Sequence, residues 1–271
     1  MLEISVPAPV VFHLGPIPVT NAVVAAFVST LFLALLALLL RSKMSVIPGR
    51  AQAFVEMIFE FFDGQIEQAF GSKERGRKFF PLIMTILLFI AVANQLSVFP
   101  LLFQIIVEDK PLLRLATSDL SQTLTLGLLV VGLSHLLALS MSPLRHIGNY
   151  IRIKPLIKAR SFQEIGNGFI ELFLGLMDII GEIAKIISVS CRLFGNLFAG
   201  DVMVAVIISL SKFTEFIVPM PFLFLGIFSG FVQAFVFTLL SLQFVSSTYN
   251  TAYANREERL AKRSSPSVAT S

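Results

Sequence analysis

Long apolar runs fill most of the chain, and the positions where polar residues interrupt them set out the elements. Residues 4–40, 79–107, 120–144 and 216–255 contain no Lys, Arg, Asp or Glu. Each is long enough to cross the ~30 Å hydrocarbon layer of a bilayer, which takes about 20 helical residues. A fifth run, 165–210, is equally apolar in tone but carries charges. Between the first two runs, AQAFVEMIFEFFDGQIEQAF sets Glu56, Glu60, Asp63 and Glu67 at helical spacing, with Phe54, Ile58, Phe62, Ile66 and Phe70 on another face. That pattern predicts an amphipathic helix lying on the membrane. Its stripe is acidic, whereas lipid headgroups favour Lys and Arg, so a protein partner or the basic run KERGRK fits the stripe better than lipid does.

The predicted chain is an all-α integral membrane protein of about five membrane-crossing helices plus one interfacial amphipathic helix, the last two crossings long and strongly tilted. It forms a single membrane domain over 1–271. The order is a first span at 17–41, the amphipathic helix at 51–70, a second span at 79–101 and a third at 119–141. A long fourth crossing at 165–211, a fifth span at 217–249 and a tail at 256–271 follow. No internal repeat is evident, and the terminal SSPSVATS has the composition of a disordered segment. Composition agrees with this picture. Of 271 residues 55% are hydrophobic and 14% charged, too few charges to cover a water-facing surface. A single cysteine, Cys191, excludes a disulfide framework and a Cys-based zinc site.

Charge placement gives the orientation. Arg41, Lys43, Arg50, Lys73, Arg75, Arg77 and Lys78 follow the first span. Arg145, Arg152, Lys154, Lys158 and Arg160 follow the third, and Arg256, Arg259, Lys262 and Arg263 close the chain. These belong on the cytoplasmic side, against only Lys110, Arg114 and Lys212 in the opposite loops. The N-terminus is therefore expected outside and the C-terminus inside. The first basic residue is Arg41, so the start lacks the positive region of a secretory signal and the first span is expected to be retained.

Two basic residues, Lys185 and Arg192, are left within the fourth crossing. As one helix its 46 residues would reach roughly 70 Å, over twice the bilayer. The crossing is therefore expected to break near Gly166, Gly168, Gly175 or Gly181, or to run strongly tilted. Asp178, Lys185 and Arg192 are spaced by seven and share one face, which Ser188, Gly195, Asn196 and Ala199 join. A charge at bilayer depth costs a few kcal/mol and normally faces protein or water along a functional path. Asp178 and Glu182 lie roughly 21 and 15 Å from Arg192 along a helix, too far to pair with it. No other span holds a carboxylate in its apolar middle, so the anion that meets Arg192 is expected to come from outside the chain.

The stretch SVSCRLFGNLFAGD resembles the signature of subunit a of the F-type ATP synthase, the membrane stator beside the rotating ring of c subunits. NQLSVFP, LATSDLSQTL and FVQAFVFTLLSLQF resemble the family's second-span end, third-span entry and last helix. The similarity runs from about Phe79 to Tyr249, and the first 78 residues agree in layout alone. The resemblance implies an ion-translocating subunit that is not catalytic by itself, in a bacterial inner (plasma) membrane. It implies as partners the c-subunit ring, peripheral stalk subunit b, the rest of the ATP synthase complex and the lipid bilayer, with no nucleic acid, cofactor or metal. By the family pattern Arg192 is the essential residue, with Asn196 and Gln233 as polar neighbours. Asp201 and Asp119 match an outer half-channel, and Asp178 and Lys185 a cytoplasmic one. Simpler roles remain open: Asp119 as an N-cap, Asp178 and Lys185 as snorkelling charges, Gln233 as a hydrogen bond joining two helices. Seven residues before Gln233, where some members carry a titratable His, this chain has Gly226, so the outer path is left with Asp201, Glu215 or water.

Rival readings are weaker. An ion-coupled secondary transporter would also hold midplane charges, but such folds show repeats and paired broken helices. An intramembrane hydrolase or a metal site would need clustered chemistry. His13, His135 and His146 are scattered over different segments, with His135 expected as a neutral residue inside the bundle.

Overall fold

The computed structural model describes residues 10–15, 17–41, 44–96, 106–107, 110–111, 120–150, 152, 162–210 and 219–264. Asp119, Glu215 and the SSPSVATS tail from residue 265 on lie outside them. Within the described residues the protein is all-α apart from two small hairpins. Strands β1 (Val10–Leu14) and β2 (Ile17–Thr20) pair antiparallel, and the two-residue strands β3 (Ile106–Val107) and β4 (Lys110–Pro111) do the same. The helices are α1 (Asn21–Arg41), α2 (Arg50–Phe70), α3 (Lys73–Arg77), α4 (Phe80–Leu96), α5 (Leu120–Met141), α6 (Pro143–Tyr150), α7 (Phe162–Leu210) and α8 (Pro219–Ser264). Three of them, at Val23–Arg41, Leu120–Met141 and Met220–Ala261, are long and apolar enough to cross a membrane, and Phe80–Leu96 is a shorter apolar helix.

The chain divides into two compact units. One comprises Met1–Leu126 and Val189–Leu242, and the other Gly127–Ser188 and Gln243–Ser271. In the first unit, α1 begins at Asn21 and not at residue 17, because 17–20 are held in the β-hairpin. Pro16 and Pro18 disfavour an earlier start, and the Thr20 hydroxyl accepts a hydrogen bond from the Val23 N–H at 3.4 Å, satisfying one free donor of the first turn. α1 and α2 both pack on α4, whose Ile83, Met84, Leu87, Ile90 and Ala93 are buried. Helix α2 buries Phe62, Ile66 and Phe70, while Phe54 at its other end stays exposed. Gly71, in the left-handed region at φ 65°, ends α2. The chain then turns into α3, where a Cβ on Gly76 would come within 2.8 Å of Ile66 Cγ2. Lys73 of the basic run lies 3.8 Å from Asp63 of the acidic stripe.

Of the two alternatives for the fourth crossing, the break at its glycines is not found: α7 is one continuous helix of 49 residues. In the second unit Gly175 serves a close approach instead, since an added Cβ would collide with the carbonyl oxygen of Tyr150. Gly166 and Gly181 meet nothing within 4 Å. Helix α8 runs well past residue 249 and takes in 256–264, part of the segment expected as a tail. That extension has its own supports in the second unit. Tyr249 and Tyr253 stack one turn apart, and Arg145 of α6 pairs with Glu258 at 2.6 Å while donating to the Asn255 carbonyl at 3.1 Å.

The surface is apolar to an extent that fits lipid and not water. Phe27, Leu31 and Leu38 on α1, Phe169 and Phe173 on α7, and Phe224 and Phe228 on α8 are all exposed. Water-facing patches of that size are rare on soluble chains.

Candidate functional site

In the first unit the arginine motif alternates between core and open surface. Val189, Ser190 and Leu193 are buried, whereas Ser188, which opens the motif at the end of the other unit's stretch, Cys191, Arg192 and Ala199 are exposed. The inward residues fasten this part of α7 to α5, where the Ser190 hydroxyl donates to the Thr123 carbonyl at 3.0 Å. Arg192 thus points away from the core on a helix locked in rotation. It makes no hydrogen bond or ion pair with any described residue.

One turn further, Asn196 is half-buried and its Oδ1 accepts the Ser229 hydroxyl of α8 at 2.7 Å. Ser229 is followed four residues later by Gln233, which is 6% exposed. Gly226, Ser229, Gly230 and Gln233 fall on one face of α8 by their three- and four-residue spacing. α4 reads that face through backbone carbonyls, Asn94 Nδ2 donating to Gly230 and Gln95 Nε2 to Ile227, each at 3.0 Å. A Cβ on Gly230 would come to 3.1 Å from Gln95 Nε2 and 3.2 Å from Asn94 Cβ, so the close approach needs glycine. Asn94, Gln95, Ser190 and Ser229 each donate a hydrogen bond from one helix to another here. Gln233 makes none with a described residue.

Small residues on the open side of the motif have no internal neighbour to accommodate. A Cβ on Gly195 or Gly200 would meet nothing within 4 Å, and the same holds at Gly226. Asp201 lies on α7 nine residues beyond Arg192.

The second unit collects charge in the opposite manner. Asp178 Oδ2 accepts Arg152 Nη2 at 3.0 Å, with Glu171 4.0 Å from the same guanidinium. Lys185 Nζ donates to Glu182 Oε1 at 2.7 Å and lies 5.5 Å above the Phe244 ring. Glu182 Oε2 lies 3.3 Å from His135 Nε2, and His135 Nδ1 lies 3.0 Å from His146 Nε2. Tyr150 donates its hydroxyl to Glu182 Oε1 at 3.4 Å, with its ring edge-on to both imidazoles. On α6, burial first and then the neighbouring His135 push the His146 imidazole below its ordinary pKa, with Glu182 opposing. Burial and Glu182 raise the Tyr150 phenol to about 12.

The three histidines lie on different segments, as expected, but the fold brings two of them, His135 and His146, into direct contact. It also brings the sequence candidates Asp178 and Lys185 together with Arg152, Tyr150, Glu182, His135 and His146, which the sequence reading did not select. Glu182 carries the one signal that was available, its place four residues after Asp178 and three before Lys185 on the same helix. Neither Asp178 nor Glu182 lacks a basic partner of its own.

Comparison with known proteins points one way. The family model described as ATP synthase A chain matches residues 22–246. The chain is 35% identical over 237 residues to ATP synthase subunit a of Moorella thermoacetica, covering 88% of this chain and 94% of that one. It is 34% identical over 206 residues to ATP synthase subunit a of Desulforamulus reducens, covering 73% and 67%. To the protein of Propionigenium modestum named ATP synthase subunit a, sodium ion specific, it is 32% identical over 253 residues, covering 87% and 76%. An exposed arginine on a helix held by hydrogen bonds to its neighbours thus lies within a match that covers most of the chain, and the chain belongs to the ATP synthase A chain family.

Proposed function

We propose that this chain is the ion-conducting stator subunit of an F-type ATP synthase, a membrane subunit with no catalysis of its own. Its Arg192 would meet the carboxylates of a c-subunit ring one after another. The carrying observation is Arg192 itself, exposed on α7 with no partner among the described residues and with glycines beside it whose open space admits a neighbouring helix. An always-charged guanidinium favours the ionised form of a nearby carboxylate, so each arriving ring site gives up its proton there. The same fixed charge repels protons and blocks a direct leak, as in other selective pores. Rotation of the ring then becomes the route across. Each charge moved through 100 mV is worth about 2.3 kcal/mol, so several per turn drive the synthesis of one ATP.

Two half-channels follow from chain direction. With the C-terminus in the cytoplasm, α7 travels outward, so Asp178 and Lys185 serve the cytoplasmic side and Asp201 with Asp119 the outer one. Asn196 and Gln233 form the polar surroundings of the arginine. The peripheral stalk subunit b and the rest of the complex hold the chain still against the ring.

The test is ATP-driven acidification of inverted vesicles carrying the assembled complex. Arg192→Ala is expected to abolish it. Arg192→Lys is expected to fail or nearly fail, because an ammonium lacks the broad fork of donors and deprotonates more readily. Pumping at the wild-type rate by either variant refutes the assignment.

A further inference from the structure

The cluster around Glu182 holds two imidazoles to which the half-channel reading gives no task. Glu182 divides its oxygens. Oε1 takes Lys185 and Tyr150, and Oε2 faces His135 Nε2 at 3.3 Å. His135 Nδ1 then meets His146 Nε2 at 3.0 Å, so a carboxylate and two rings form an unbroken line from α7 through α5 to α6. A carboxylate that served only to neutralise Lys185 would need none of the rest. Imidazole is both donor and acceptor when neutral, and it changes charge in the physiological range.

We propose that Glu182, His135 and His146 are a proton relay between the fourth-crossing helix and the cytoplasmic helix α6, in addition to Asp178 and Lys185. The inference rests on the half-channel reading given above.

With Glu182 ionised beside Lys185, His135 carries its proton on Nε2 and donates it to Oε2. Its Nδ1 accepts the Nε2–H of His146, which leaves His146 Nδ1 without a hydrogen-bond partner among the described residues. An incoming hydronium gives its proton to that Nδ1 and becomes water. The His146 Nε2–H bond breaks as an N–H bond forms at His135 Nδ1, and the His135 Nε2–H bond breaks as an O–H bond forms on Glu182. Glu182 then releases one proton toward the half-channel, so one enters and one leaves. Both rings end as the opposite tautomer, ready for the reverse passage. Repeated traffic in one direction requires each ring to turn over or to exchange its proton with water.

The surroundings suit this traffic. His146 is nine-tenths buried, and burial with His135 beside it keeps it neutral and able to accept. Tyr150 holds its proton to about pH 12, so it is a positioning residue for the carboxylate and rings. Nearby charged groups are engaged with one another, Asp178 and Glu171 with Arg152, and Arg145 with Glu258. Among the described residues, Lys185 is the one Lys or Arg on the line's carboxylate.

The experiment measures ATP-driven proton uptake by the assembled complex in inverted vesicles. His146→Ala is expected to slow it about tenfold, less than a positioned acid–base group can contribute because water bridges part of the gap. Added imidazole is expected to restore much of the rate. His146→Gln keeps a hydrogen-bonding side chain that cannot titrate, and it is expected to be slow as well, with a flattened rate profile between about pH 5 and 8. Wild-type rates in either assembled variant overturn the relay. So does a slow His146→Ala that imidazole leaves unchanged together with a His146→Gln of normal pH profile, which marks a packing role. If His146→Ala does not assemble, His146→Gln decides by its rate and profile. Normal His146 variants beside an inactive Arg192→Ala would remove the relay alone, whereas a pumping Arg192→Ala would remove the half-channel reading itself.

Discussion

Helix α7 carries charge in two contrasting settings. In its 162–188 part, Asp178 has Arg152 at 3.0 Å and Glu182 has Lys185 at 2.7 Å, with His135 on its other oxygen. In its 189–210 part, Arg192 is exposed and has no partner among the described residues. Composition does not account for the difference, because both parts are apolar helix with occasional polar residues. What differs is whether a counter-charge comes from within the chain. Pairing removes most of the cost of a charge at low dielectric, whereas leaving a guanidinium open at bilayer depth costs about 2.5–3.5 kcal/mol by insertion scales. Glu171, Asp178, Glu182 and Lys185 on this helix are paired and Arg192 is not paired with any described residue, which is what the proposed encounter with an outside carboxylate requires.

The comparison breaks most completely if Arg192 is given a partner of its own. Ser188 is exposed one turn before it, and Glu at i with Arg at i+4 is a favourable helical pair. Ser188→Glu is therefore expected to leave assembly intact and to reduce ATP-driven pumping by at least about tenfold, since even a ~1.4 kcal/mol preference for the internal carboxylate is worth that factor. Normal pumping by an assembled Ser188→Glu complex would mean that the openness of Arg192 is incidental.

A smaller effect separates the two sides. Asp201→Asn is expected to impair proton uptake from the outer phase, and Asp178→Asn exchange with the cytoplasm. Each should slow turnover several-fold without uncoupling it, because in the proposed mechanism Arg192 still blocks the leak. Silver ion supplied from one side to a cysteine at each position, in a Cys191→Ser background, checks the assignment. Asp201→Cys is expected to react from the outer side and Asp178→Cys from the cytoplasmic side, and the reverse pattern would sink it.

The α7 residues of both regions were legible in sequence, whereas the partners that other helices bring to the paired one were not. Arg192, Asn196, Asp178 and Lys185 belong to one helix, where a spacing of seven or four residues fixes a shared face without tertiary information. The cluster is assembled from three helices. His135 and His146 are 11 residues apart, and Tyr150 is 32 from Glu182, separations for which no periodicity gives a contact. Apolar pattern also overstated where helices begin and stop. The hairpin at 17–20 reads as part of an apolar run, and 256–264 reads as a polar tail, yet Arg145 with Glu258 and Asn255 supports the helix there. Glycines in α7 suggested a break because their helix propensity is low. At Gly175 the absent Cβ makes room for the Tyr150 carbonyl.

The smallest effect concerns pH and the paired region. His146 takes up a proton less readily folded than unfolded, where an imidazole titrates near 6.5. Its stabilising contribution is fully present above about pH 6.5 and is lost as the pH falls through the lower folded value. Thermal unfolding of the purified complex is expected to shift down modestly between neutral and mildly acidic pH, and His146→Gln to narrow that shift. An unchanged shift in His146→Gln would assign the pH response to other groups.

The central claim is that a ring helix covers the open side of Arg192, and proximity tests it most directly. Cysteines introduced singly at Ser188 and Ala199, both exposed, and at Leu193, which is buried, each in a Cys191→Ser background, are paired with single cysteines flanking the ring carboxylate. Oxidation of the assembled complex is expected to join this chain to a c subunit from positions 188 and 199 but not from 193. Full pumping with no cross-link from either exposed position, or a cross-link from the buried one alone, would contradict the account.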